Sequence, residues 1–114
     1  MTPALRTIIV PVTDLSGAKA VYGALLGAEP SMDAPYYVQF DVDGQEVGLD
    51  PNGAAQGLTG PVGYWHVDDI GTTLQALTDA GARELQGVRD VGGGKLIATV
   101  ADADGNPIGL MQQP

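Results

Sequence analysis

Asp43-Gly44-Gln45-Glu46-Val47-Gly48-Leu49 and Asp104-Gly105-Asn106-Pro107-Ile108-Gly109-Leu110 are one short pattern met twice, once in each half of the chain. In the first copy the Asp-Gly pair sits between two alternating runs, Tyr36 to Val42 and Gln45 to Asp50. That is a strong hairpin signal, because both loop residues of the favoured tight turn need positive φ. Working outward from it, Val12-Thr13-Asp14-Leu15 matches Val67-Asp68-Asp69-Ile70, and Gly27-Ala28-Glu29 matches Gly81-Ala82-Arg83. Three landmarks in the same order mark an internal duplication.

The rest of each half fills in around those landmarks. Leu5 to Val12 is apolar and β-branched and reads as a strand. Asp14 and Ser16 offer N-caps for a helix over about 16–26, with Ala18, Val21, Tyr22, Leu25 and Leu26 as its buried stripe and Gly27 as its stop. Residues 54–60 read as a linker. Val62 to Val67 is the next strand, Asp69 caps a helix over about 70–80, and Gly81 ends it. Strands follow at 83–91, 95–100 and 107–112. The fold expected is α+β, two βαβββ modules in a single domain, module one over about 4–53 and module two over about 61–113.

Composition narrows the function. The chain has 114 residues, 14 acidic against 5 basic, and a net charge of -9. Arg6, Lys19, Arg83, Arg89 and Lys95 are scattered, whereas nucleic-acid binding needs clustered cations. No apolar run approaches the ~20 residues that cross a bilayer, and no leader pattern is visible from Met1 to Arg6. With no cysteine there is no disulfide, thiolate nucleophile or Cys-based metal site. A cytoplasmic protein without nucleic-acid or membrane partners is expected. Gly92-Gly93-Gly94-Lys95 lacks the spacing of a phosphate loop, and Asp102 to Gly105 lacks the ligand pattern of a calcium loop.

The strand leading into Val12-Thr13-Asp14-Leu15, Tyr22 in the helix after it, and Asp102-Ala103-Asp104-Gly105-Asn106-Pro107-Ile108-Gly109-Leu110 together resemble the vicinal oxygen chelate superfamily, which includes glyoxalase I, extradiol dioxygenases and bleomycin resistance proteins. The resemblance covers nearly the whole chain. It implies a cupped mixed sheet with helices on the convex side, a cleft on the concave side, and a homodimer. Metal-using members hold one ligand on each of four strands. Placed residue by residue, those positions fall here on Thr7, Gly48, Val62 and Gly109. Three of these have no side-chain donor, and a divalent catalytic site takes about three ligands from His, Asp or Glu. No metal and no cofactor are expected. The closest type by resemblance is a metal-free, bleomycin-resistance-like member.

Strand alternation divides the residues between two faces. One carries Ile8, Val10, Val12, Val38, Phe40, Val42, Val47, Leu49, Trp65, Val67, Ile108 and Leu110, all apolar and read as packed on the helices, with Trp65 in the core. The other gives the candidate ligand face: Thr7, Ile9, Tyr37, Gln39, Glu46, Gly48, Val62, Tyr64, His66, Gly109 and Met111, with Asp41 opposite Glu46. Glycines 48 and 109 read as room left where a metal would sit. His66 could hydrogen-bond a ligand or act as a base; Tyr37 and Tyr64 could stack on an aromatic ligand or simply brace the sheet. Glu46 and Asp41 could meet a cation. The expected function is non-catalytic binding of a small molecule, cationic or aromatic. The alternatives are a metal-independent enzyme using His66 or Glu46, a metal-dependent glyoxalase- or dioxygenase-like enzyme with shifted ligands, and a structural or regulatory protein without a ligand.

Overall fold

A computed structural model of the chain describes residues 3–114. The elements run β1 (Ala4–Pro11), α1 (Leu15–Leu26), β2 (Met32–Ala34), β3 (Tyr37–Val42), β4 (Gln45–Asp50), a 3-10 turn (Ala54–Gln56), β5 (Val62–His66), α2 (Ile70–Asp79), β6 (Arg83–Asp90), β7 (Leu96–Ala101) and β8 (Pro107–Gln112). Two helices and eight strands make an α+β fold. Contacts divide the chain into a unit spanning Arg6–Val62 and a unit spanning Gly63–Pro114, the latter with the N-terminal stretch ending at Leu5.

The first unit orders its strands β2-β3-β4-β1. β1 and β4 run parallel, with Thr7 opposite Glu46 and Ile9 opposite Gly48. β3 and β4 form the hairpin that the Asp-Gly pair predicts, and Asp43 (φ 50) and Gly44 (φ 79) both hold positive φ. Asp14 caps α1 by accepting from Gly17 N–H at 3.0 Å. The helix therefore starts at Leu15, and Ser16 lies inside its first turn instead of capping it. α1 packs on β3 and β4 over a core of Val10, Val38, Phe40 and Leu49, to which it contributes Leu15, Ala18, Tyr22 and Leu26. Val21 and Leu25, expected in that stripe, are exposed (66% and 74%). The stripe is narrower than the periodicity suggests because a single layer of strands touches only one side of the helix.

The second unit repeats the plan, with order β5-β8-β7-β6. β5 and β8 are parallel, placing Tyr64 opposite Gly109 and His66 opposite Met111. Asp69 caps α2 by accepting from Thr72 N–H at 3.1 Å, and Gln112 Oε1 accepts from Ile70 N–H at 2.8 Å, satisfying a second donor of the first turn. α2 packs on β6, β7 and β8, over Ile70, Ala98 and Leu110. Trp65, expected in the core, is 39% exposed. Its face of β5 is the one predicted, but the contacts of α2 run to the other three strands. The loop before β8 is built on Asp102, whose carboxylate accepts from Asn106 Nδ2 (3.0 Å), Asn106 N–H (2.9 Å) and Asp104 N–H (3.0 Å). These bonds, led by the Asn106 side chain, hold its carboxyl below the ordinary value of 3.8.

Candidate ligand face

Pairing register brings the predicted residues of the first unit into two rows across β1, β4 and β3. One row is Thr7, Glu46 and Asp41; the next is Ile9, Gly48 and Gln39. Residues directly opposite on paired strands share a face, so each row is a set of neighbouring side chains. Hydrogen bonds run within and between these rows. Thr7 Oγ1 donates to Glu46 Oε1 at 2.8 Å. Gln39 Nε2 donates to both oxygens of Asp41, at 3.1 and 3.3 Å, and Gln39 Oε1 accepts from the Tyr37 hydroxyl at 3.4 Å. Thr7 is buried, Glu46, Gln39, Tyr37 and Ile9 are half-buried, and Asp41 is exposed. β2 adds Met32 to the second row, opposite Gln39 and 40% exposed. Neither β2 nor Met32 was predicted: three residues are too few to show alternation.

The two glycines are not empty. A Cβ on Gly48 would lie 2.0 Å from the Tyr37 hydroxyl oxygen and 2.8 Å from Ile9 Cδ1. A Cβ on Gly109 would lie 2.5 Å from Tyr64 Cγ. The expectation of open room at these positions is thus corrected: in each unit a tyrosine already fills it. In the second unit Tyr64, Gly109 and Met111 are buried and His66 is half-buried; Val62, the last residue of the first unit, is buried as well. Thr99 joins Tyr64 and Gly109 in one row, and Ile97 joins His66 and Met111. A small hollow of about 130 Å³ lies beside His66, lined also by Asp68, Asp69, Thr72 and Thr73. A larger groove of about 560 Å³ in the first unit, lined by Lys19, Ala20, Gly23, Glu29 and Phe40 among others, shares no residue with the predicted face.

These residues do not fit a divalent metal. The Thr7 hydroxyl is directed at a carboxylate, Gly48 and Gly109 are covered by phenol rings, and valine offers no donor. Among the described residues no three His, Cys, Asp or Glu side chains come together.

The family model of the glyoxalase/bleomycin resistance protein/dioxygenase superfamily matches residues 4–110, both modules in one span. The chain belongs to that superfamily. Among solved structures, a glyoxalase/bleomycin resistance protein/dioxygenase superfamily member from Vibrio splendidus 12B01 is similar, with 19% identity, TM-score 0.73, and coverage of 97% of this chain and 98% of that one. Methylmalonyl-CoA epimerase from Mycobacterium tuberculosis (18%, TM-score 0.70, coverage 96% and 87%) and from Streptomyces coelicolor (18%, TM-score 0.69, coverage 96% and 96%) share the fold as well. A search of curated proteins gave no match. Among the described residues no helix is long and apolar enough to cross a membrane.

Proposed function

We propose that this superfamily member binds a small cationic ligand with an apolar or aromatic part on the face of β1, β4, β3 and β2, without turning it over. The observation that carries this reading is the hydrogen-bonded array itself. Thr7 and Gln39 direct their donors at Glu46 and Asp41, so each carboxylate is held in place with lone pairs left for a cation. Tyr37 and Met32 supply an aromatic ring and a polarisable side chain on the same face. A net charge of -9 adds a general attraction for cations. Sequestration needs binding energy alone, which agrees with family metal positions unsuited to a metal.

The test is a thermal-shift titration with benzyltrimethylammonium against benzoate. A cation at about 100 times its dissociation constant should add about 2.7 kcal/mol of stability. Benzoate should add nothing, and Asp41→Asn with Glu46→Gln should abolish the effect of the cation. Equal shifts from both probes, or none from either, would overturn the reading.

A second reading has its own observation: Glu46 is a half-buried carboxylate oriented by a hydroxyl, the arrangement of a general base. Solved structures that share this fold include methylmalonyl-CoA epimerases. Solvent-deuterium exchange into an acyl thioester, lost in Glu46→Gln, would establish that reading and displace the first.

A further inference from the structure

β6 pairs with β7 in an uneven register: Arg83 lies opposite Ala101, Glu84 opposite Val100, Gln86 opposite Thr99, Arg89 opposite Ile97 and Asp90 opposite Leu96. From Glu84 to Gln86 two steps along β6 match one along β7, and from Gln86 to Arg89 three match two. Each irregularity inserts one residue, so the first turns the alternation of side chains over and the second turns it back. Strict alternation would set Leu85 and Gly87 between the two arginines. The irregularities set Gln86 there instead.

The two faces of β6 therefore differ in charge. Glu84 and Asp90 share the face of Val100 and Leu96, the side on which Leu96 packs with Ala98 and Leu110 under α2. Arg83, Gln86 and Arg89 share the opposite face with Ala101, Thr99 and Ile97. There Gln86 extends the row of Thr99, Gly109 and Tyr64, and Arg89 extends the row of Ile97, Met111 and His66. Both arginines are exposed and Gln86 is half-buried. A guanidinium offers a planar fork of donors that takes a carboxylate bidentately. The partners of the arginines, Ala101 and Ile97, are four residues apart on β7, about 13 Å at ~3.3 Å per residue. That spacing suits two carboxylates on one molecule better than one carboxylate shared. The net charge of -9 disfavours anions in general, and a bisphosphate more than a dicarboxylate.

We propose that Arg83, Gln86 and Arg89 form a binding site for a dicarboxylate with a hydroxyl-bearing middle, one carboxylate on each arginine and the Gln86 amide on the middle. It uses none of the residues of the cation-binding face proposed above. The experiment is isothermal titration calorimetry of the full chain in about 0.15 M salt, where charges beyond ~8 Å are largely screened. Galactarate should bind. Malonate, whose adjacent carboxylates cannot serve both arginines, should bind about tenfold or more weakly, and uncharged galactitol should not bind. Arg83→Gln and Arg89→Gln should each weaken galactarate about tenfold or more. Glu84→Gln changes the same strand by one charge on the opposite face and should leave binding as in wild type. No binding of galactarate, equal binding of malonate, binding of galactitol, wild-type affinity in either arginine variant, or an effect of Glu84→Gln as large as theirs would each overturn the proposal.

Discussion

Gly109→Ala isolates the covering of a β8 glycine by a tyrosine. The new methyl would lie 2.5 Å from Cγ, 2.6 Å from Cδ2 and 2.8 Å from Cδ1 of Tyr64, so it meets the ring itself and not its tip. Tyr64 is only 5% exposed, so the ring has little freedom to move aside. Overpacking of this kind costs about 1–3 kcal/mol. Against it, replacing glycine within a strand gains about 0.5–1 kcal/mol of conformational entropy. The net expectation is a loss of up to about 2.5 kcal/mol. In urea denaturation, with a slope of about 1–3 kcal/mol per molar, it reads as a lowered midpoint. The decisive comparison is a double-mutant cycle with Tyr64→Ala. Without the ring only the entropic gain remains, so Gly109→Ala should be neutral or stabilising there, and the interaction energy should come to about 1–3 kcal/mol. Gly48→Ala should cost less, because the atoms it meets are the far ends of the Tyr37 and Ile9 side chains and Tyr37 is half-buried. Equal losses for Gly109→Ala with and without the Tyr64 ring would refute the reasoning.

Other measurements reach the rest of the fold. Phe40 is fully buried in the core of the first unit, and Phe40→Ala should cost about 3–5 kcal/mol in chemical denaturation. Asp102→Asn should destabilise at neutral pH. Because the folded pKa of Asp102 is depressed, its contribution is present above the unfolded carboxylate range and is lost as pH falls through the folded value, so the gap between wild type and variant should close below about pH 3.8. Trp65 is the single tryptophan and is 39% exposed, so its fluorescence in the native protein should be readily quenched by acrylamide; emission shielded from the quencher would contradict its placement.

Much of the architecture was legible because each half carries unambiguous punctuation. Asp14 and Asp69 cap, Gly27 and Gly81 stop, and Asp43-Gly44 turns, and every one of these is a local steric or hydrogen-bonding requirement. Alternation also put Thr7, Glu46, Gln39 and Asp41 on one face, and the pairing register then sets them in adjacent rows. What it could not convey is what lies over a face. Trp65, Val21 and Leu25 have the periodicity of buried residues, yet burial depends on how far a neighbouring helix or strand extends. The filling of glycines 48 and 109 was hidden for a related reason. A glycine reads as space until the rotamers of residues on adjoining strands are known, and Tyr37 and Tyr64 reach their glycines across strand boundaries.

The covering rings do not correspond between the halves. Tyr64 sits directly beside Gly109 on the parallel neighbour, where the first half has Ile9 beside Gly48; Tyr37 belongs to the antiparallel neighbour, two residues from the partner of Gly48. Because the rings come from different strands, each half fills the space over its glycine by its own side-chain arrangement, and removing one ring exposes one glycine without disturbing the other.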